Sequence, residues 1–241
     1  MIYINVIKSD NEAFSIISLG GRMNKKFLMI MLVVFVVIGA AIAVMFFAKP
    51  INESQDKVLQ KYTKGYIELT YLGDSSTYSS VTNISKSEAE KIYKDSIDME
   101  IQYFNEYFEL KNLKDEEYNE LNELIIKVYK MIKYDVSLAR EIDEYTYEVD
   151  VKIKPINIVK IVEDELIKKL ESVSQNEFKN INDNWNQSII NILKENIDKI
   201  SYFEEETVVV TVEMNKNGVF EFSQDSLNNI DAKVVSYEFN E

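Results

Sequence analysis

An α+β fold hung from one membrane-spanning helix is what this sequence predicts, and three observations predict it. From Phe27 to Ala48 the chain reads FLMIMLVVFVVIGAAIAVMFFA, 22 residues that are all apolar or small. Beyond Lys49, residues 145–153 alternate apolar and polar side chains with a period of two, the pattern of a half-buried strand, and residues 207–213 and 219–223 flank the turn dipeptide Asn217-Gly218 as a second hairpin. Around them, apolar residues recur every three or four positions, the spacing of amphipathic helices. Helices and antiparallel hairpins segregated along a chain build an α+β domain.

The apolar stretch comes first. At about 1.5 Å of rise per residue it makes a helix of roughly 33 Å, enough to cross the hydrocarbon core of a bilayer. Arg22, Lys25 and Lys26 precede it, whereas Lys49 and Lys57 beyond it are offset by Glu53 and Asp56. Basic flanks stay in the cytoplasm. The sequence therefore divides into a short inner N-terminus over residues 1–26, a signal-anchor helix over 27–48 and an extracytoplasmic domain over 49–241. The alternative is a signal peptide cut after Ala43, in the small-x-small run Ala41-Ile42-Ala43, which would give a secreted protein. Cleavage there would leave Val44-Met45-Phe46-Phe47-Ala48 as an exposed apolar end, so the uncleaved anchor is preferred. Met23-Asn24-Lys25-Lys26 has the form of a bacterial signal start. Leu19-Gly20-Gly21-Arg22 can encode a ribosome-binding sequence of the GGAGG kind. Translation is thus expected to begin at Met23, with residues 1–22 untranslated. A peptide from those residues in a mass spectrum rejects this.

The first exported helix is expected over residues 53–72. Val58, Leu59, Tyr62, Tyr66, Leu69 and Leu72 recur at three and four, and Gly73 stands where a left-handed cap belongs. Residues 73–80, GDSSTYSS, read as a loop. Ser85-Lys86-Ser87-Glu88 reads as a capping box, with Ile84 and Ala89 as its hydrophobic staple. The helix it starts carries Ala89, Ile92, Tyr93, Ile97, Phe104 and Phe108 on one stripe, and Glu100 falls in the middle of that stripe. A third helix, capped by Asp115, turns Leu121, Leu124, Ile125, Val128 and Ile132 inward. The period then changes to two in Tyr134, Val136 and Leu138. After a turn at residues 141–144 it continues in Tyr145, Tyr147, Val149, Val151 and Ile153, and Pro155 ends this first hairpin. Helical spacing returns in Ile158, Ile161, Val162, Leu166, Leu170 and Val173, and again in Phe178, Ile181, Trp185, Ile189, Ile192 and Leu193. A second hairpin pairs residues 207–213 with 219–223 around Asn217-Gly218, a strong turn dipeptide. A short helix over 225–230 follows. The two hairpins are expected to merge into one four-stranded antiparallel sheet with helices on one face. A curved cystatin-like or NTF2-like sheet is one form of this, by analogy alone.

Composition excludes more chemistry than it suggests. The 241 residues include no Cys and no His. Disulfides, a lipidated cysteine and thiolate metal sites are absent, as are Ser-His-Asp and Cys-His nucleophiles and histidine-ligated zinc. Carboxylate chemistry, oxygen-ligated cations or no chemistry remain. The chain carries 27 basic and 41 acidic residues, and beyond Lys49 the balance is 22 against 39, a net of −17. Such a field repels nucleic acid and anionic lipid and attracts cations or a basic partner.

Several segments resemble a known family. They are Tyr66-Ile67-Glu68-Leu69-Thr70-Tyr71-Leu72-Gly73-Asp74, Ala89-Glu90-Lys91-Ile92-Tyr93, Tyr103-Phe104, Val128-Tyr129, Tyr134-Asp135-Val136, and Tyr147-Glu148-Val149-Asp150-Val151 ending in Pro155-Ile156. Together they resemble an uncharacterised domain family of predicted lipoproteins and membrane-anchored proteins of Gram-positive bacteria, over about residues 55–235. The resemblance implies an extracytoplasmic location and an α+β domain. Family members are often lipidated at a cysteine. This chain has none, so the resemblance implies that it is held by its helix or released. It supplies no catalytic residue to transfer.

Among individual residues Glu100 is the most unusual. A carboxylate within an apolar stripe can have a raised pKa and act as acid or base. An edge position, or pairing with a Lys or a Tyr hydroxyl, is the commoner outcome and is expected here. No particular second carboxylate is indicated to complete a glycosidase pair. Asn180-Ile181-Asn182-Asp183-Asn184 is rich in oxygen ligands but lacks the glycine and terminal glutamate of an EF-hand loop, and is expected to be helix. Glu204-Glu205-Glu206 reads as a solvated acidic run. The tyrosines, among them Tyr62, Tyr66, Tyr71, Tyr93, Tyr103, Tyr107, Tyr129, Tyr134, Tyr145 and Tyr147, are expected in the core with their hydroxyls at its rim.

No catalytic, cofactor-binding or metal-ligating residue is assigned, and no cofactor. The expected function is non-enzymatic: a single-pass protein of the cytoplasmic membrane whose outer domain binds a protein, a peptide or a wall component, and not nucleic acid. The alternatives are a carboxylate-dependent hydrolase of a cell-wall polymer, or an accessory subunit of a membrane complex. The latter would engage through small residues such as Gly39-Ala40-Ala41-Ile42-Ala43.

Overall fold

The computed structural model describes residues 53–237, together with the backbone of two short paired strands, β1 (Asn5–Lys8) and β2 (Phe14–Ile17). The expected span over 27–48, its peptidase site and the start at Met23 lie outside the described residues. Among the described residues, no helix is long and apolar enough to cross a membrane.

Helix α1 (Gln55–Ile67) runs without a break into one π turn, Glu68–Leu72, and stops at Gly73 with φ of 71°. Glycine adopts that left-handed conformation without the Cβ strain other residues meet. A second glycine, Gly65, lies inside α1 for a different reason. A Cβ there would come within 2.5 Å of the Tyr78 backbone nitrogen, so glycine permits the close crossing of α2 (Ser76–Val81). Residues 73–80 are thus not the expected loop. Asp74 accepts a hydrogen bond from the Ser76 backbone N–H at 2.9 Å, and the six-residue helix α2 follows.

Helix α3 (Lys86–Tyr107) starts at the expected capping box. The Ser85 N–H donates to the Glu88 carboxylate at 2.9 Å, and the Glu88 N–H donates back to Ser85 Oγ at 3.2 Å. In α4 (Asp115–Tyr129), Asp115 is the first helical residue instead of the cap. Lys114 holds the cap position, and its N–H donates to Glu117 at 2.9 Å.

The sheet contains β3 (Lys133–Val136), β4 (Arg140–Asp143), β5 (Thr146–Lys154), β6 (Glu206–Met214) and β7 (Phe220–Phe222). Its order is β3-β5-β6-β7, and β4 pairs with the same edge of β5 as β3 does. The sheet is antiparallel and curled. Four strand positions were expected, and the fifth strand arises because the outermost one is broken at residues 137–139. The break shifts the alternation by one residue, which puts Ala139 inward and leaves Leu138 49 % exposed. The expected turn at 141–144 is mostly strand. The chain reverses later, at Glu144-Tyr145, where Asp143 accepts the Tyr145 N–H at 2.9 Å. The second hairpin turns at Gly218, with φ of 72°.

One face of the sheet is covered. Val149 pairs across strands with Val210, and Val151 with Val208, and all four are buried. Glu148, Asp150 and Lys152 alternate with them on the other face. Helix α1 and the last helix, α8 (Gln224–Val234), pack against the sheet and bury Leu59, Tyr62, Leu227 and Ile230. The Tyr62 ring stacks on Phe222 at 4.3 Å between centroids. Helix α8 is longer than the expected 225–230, and its start takes over where β7 ends. Ser226 Oγ accepts the Thr211 N–H at 2.8 Å, and the Ser223 N–H donates to the Thr211 carbonyl at 3.0 Å. Helices α5 (Ile158–Ser172), α6 (Gln175–Asp183) and α7 (Trp185–Asn196) build a further layer, with α7 packed on α4 and α5. The Trp185 indole donates to the Phe108 carbonyl at 2.7 Å and ties this layer to α3.

Candidate functional site

Glu100 points from the apolar face of α3 into a seam closed by α4, α8 and the chain after α8. The residue is 5 % exposed. Tyr129 of α4 donates to one carboxylate oxygen at 3.1 Å, and Tyr237 donates to the other at 2.7 Å. The expected pairing with tyrosine hydroxyls is what the fold provides, and it also recruits a residue 137 positions away in the chain.

A second carboxylate, which the sequence did not indicate, lies in the same seam. Asp231 of α8 accepts a hydrogen bond from the Tyr71 hydroxyl, while its other oxygen is enclosed without a hydrogen-bond partner. The two half-sites touch through their rings, since Tyr71 meets Tyr129 edge-on at 5.1 Å. Tyr107 and Tyr103 meet Tyr237 edge-on at 5.4 and 6.4 Å. Burial pushes the Glu100 carboxyl up to about 7, against the opposing pull of the Tyr237 and Tyr129 hydrogen bonds. Burial likewise pushes Asp231 up to about 7. The Tyr71 hydrogen bond opposes that rise and repulsion from Glu100 adds to it. The phenols of Tyr71, Tyr129 and Tyr237 are pushed well above their usual range by the same burial, so they stay neutral donors. The only signal for Asp231 in the sequence was its place one residue after Ile230 on a short helical stripe, which does not distinguish it from a surface aspartate.

Burial raises both carboxyls, as in an acid–base pair, but Glu100 is not open to a substrate. Both Glu100 oxygens are committed to tyrosines, and the side chain is sealed. The arrangement fastens the end of the chain to α3 and ties α8 to the π turn after α1.

The opposite arrangement occurs at the β4–β5 hairpin. Leu138, Ile142 and Tyr145 are 49, 54 and 54 % exposed, three of the four large hydrophobic residues that stand open among the described residues. Tyr145 therefore departs from the inward position expected of it. Ile142 lies at a register shift between Glu141 and Asp143, the irregularity that re-aims an edge strand. On the flank of this hairpin the Arg140 guanidinium donates to Glu148 and to Asp150, each at 2.7 Å. This edge adjoins the start of α1, because the Ala139 N–H donates to the Asp56 carbonyl at 3.3 Å.

The other candidates fall into structural roles. Residues 180–183 end helix α6, and the Asn184 side-chain amide donates to the Asn180 carbonyl at 3.0 Å. Glu204 and Glu205 are exposed, and Glu206 opens β6 and pairs with Lys233 of α8 at 2.6 Å. Tyr62, Tyr66, Tyr71 and Tyr129 are buried in the core as expected, but the hydroxyls of Tyr62 and Tyr129 lie inside it instead of at its rim, on the Phe220 carbonyl and on Glu100.

No family model matches this sequence. No curated protein matches it either. Among solved structures, the fold is similar to the crystal structure of YcdA, a predicted lipoprotein of Bacillus subtilis, with a TM-score of 0.52 at 16 % identity. The match covers 75 % of this chain and 57 % of YcdA. At that identity the likeness concerns the fold.

Proposed function

We propose that this chain is a membrane-held binding protein of the bacterial cell envelope, with residues 49–241 outside the cytoplasmic membrane. The observation that carries the reading is the β4–β5 hairpin, which keeps Leu138, Ile142 and Tyr145 in water on an otherwise well-packed domain. A soluble domain gains about 25 cal/mol for each Å² of apolar surface it buries, so large apolar groups left together at an edge mark a contact surface. The location rests on the apolar stretch 27–48 with its basic inner flank, and the fold likeness to a predicted lipoprotein agrees with it. The burial of Glu100, both of whose oxygens are held by tyrosines, supports binding over wall-polymer hydrolysis, because a hydrolytic pair has to meet its substrate.

Crosslinking in intact cells, followed by recovery of the full chain from detergent-solubilised membranes, tests both parts. The expected result is one specific partner, with the protein in the membrane fraction and its domain degraded by protease added outside. Recovery of no partner overturns the binding reading. Recovery of a soluble form beginning at Val44 overturns the anchored one.

A further inference from the structure

Sheet edges in soluble proteins are usually shielded by lysine, proline, a covering loop or shortness, because an open edge pairs with any extended chain. Among the described residues, β4 pairs with β5 alone. Residues 137–145, SLAREIDEY, contain neither lysine nor proline. What they contain instead is charge of one sign. Glu141, Asp143 and Glu144 are exposed and form no ion pair among the described residues. The only base in the segment, Arg140, is held by Glu148 and Asp150 and does not neutralise them. The edge therefore combines an open backbone, three exposed hydrophobics and three uncompensated carboxylates within eight residues.

We infer that the β4 edge of the β4–β5 hairpin is a docking site for an extended polypeptide segment that alternates basic and apolar residues, added to the sheet as a further strand. The inference rests on the binding reading above and names the class of partner. Main-chain hydrogen bonds to an edge supply affinity without sequence preference, and the side chains along the edge select the occupant. Here they select for lysine or arginine, which meets Glu141, Asp143 and Glu144, and for apolar residues, which cover Ile142, Leu138 and Tyr145. Charge argues against the competing occupants. A second copy would bring the same carboxylates opposite one another, and like charges across a strand pair are destabilising. An anionic bilayer surface repels them as well. The acidic hairpin thus performs the shielding that lysine performs elsewhere, but leaves the edge open to one sign of partner.

The test uses the full chain in phosphatidylcholine nanodiscs, with hydrogen exchange of the amides of residues 138–145 as the readout. Two capped octapeptides serve as probes, one alternating Lys and Val and one alternating Glu and Val. The expected result is slowed exchange at residues 138–145 with the Lys-Val peptide only. Ile142→Pro puts a proline, the residue that blunts strand addition, into the edge strand and is expected to weaken binding at least tenfold. The paired substitution Glu141→Lys with Glu144→Lys leaves the backbone intact and is expected to transfer the preference to the Glu-Val peptide. Protection by neither peptide, equal protection by both, or an unchanged preference in the double variant overturns the inference. So does protection that appears without peptide in phosphatidylglycerol nanodiscs, which would make the hairpin a membrane contact. Protection that rises with protein concentration alone would make it an interface between copies. If crosslinking recovers the same partner from wild type and from the double variant, the binding reading stands and this edge is not its site.

Discussion

In the seam between α3, α4 and α8, a buried and a partly buried carboxylate lie among tyrosines, while at the β4–β5 hairpin a leucine, an isoleucine and a tyrosine stand half in water. Each inverts the ordinary partition of side chains, and the consequences differ. The buried acids are offset locally. Desolvation disfavours their charged forms, and hydroxyls from Tyr129, Tyr237 and Tyr71 recover part of that. The exposed hydrophobics are offset by nothing on the described surface. A group whose misfit is compensated within the fold serves the fold, whereas one left uncompensated points to something outside it.

Substitutions in the seam sharpen this contrast most. Glu100→Ala strands the Tyr129 and Tyr237 hydroxyls without their acceptor. Losing the partner of buried donors is expected to cost about 3 kcal/mol in denaturant unfolding at neutral pH. A loss below about 0.5 kcal/mol would show the network to be dispensable.

The pH dependence comes next. Asp231 and Glu100 have folded-state values of about 7, above the ordinary carboxylate values they take when unfolded. Between those limits the folded state holds more protons, so the two groups lower stability as pH rises from about 4 to 7. Their destabilisation is absent below that window and complete above it. Asp231→Asn keeps an acceptor for Tyr71 and removes the charge. It is expected to raise stability by about 2 kcal/mol at pH 8 and to change little at pH 4. Equal effects at both values would mean that Asp231 is not titrating within the fold.

Tyr237→Phe removes one hydrogen bond and keeps the ring contacts with Tyr107 and Tyr103, so its expected cost is about 1 kcal/mol. Faster exchange of the amides around residues 234–237 should accompany it, since Tyr237 holds that end of the chain to α3. The smallest effect belongs to the hairpin. Ile142→Thr is expected to change stability by less than about 0.5 kcal/mol, because an exposed side chain makes few contacts to lose. A loss of 2 kcal/mol or more would show that Ile142 is part of the core and would remove the contrast.

The helices with clear termini were the most legible elements. Ser85 and Glu88 satisfy each other within four residues, so the capping box that starts α3 needs no tertiary information, and the same is true of Gly73 and of Asn217-Gly218. Errors gathered where one element depends on another. The GDSSTYSS segment contains a helix because α2 docks on Gly65 of α1, a contact set by removing a side chain and therefore silent in a hydrophobicity pattern. Leu138 breaks the alternation that should have buried it because the edge strand is interrupted, and a one-residue slip exchanges the two faces, whereas Tyr145 is exposed because it stands in the turn before β5. In the seam, Glu100 was visible as an intruder on an apolar stripe. Asp231 was not, because its neighbours Tyr71 and Glu100 are more than 130 positions away.

By itself the sequence determined the class of the domain, the start of α3, the one-faced strands, the absence of thiol and imidazole chemistry and the strong negative charge. Each of these follows from the identity of a residue or from its relation to neighbours a few positions along. Only the tertiary structure decided that Glu100 and Asp231 share one seam, and that Leu138, Ile142 and Tyr145 share one open edge. Burial belongs to the assembled elements and not to the residue, and these elements are brought together by contacts that span most of the chain.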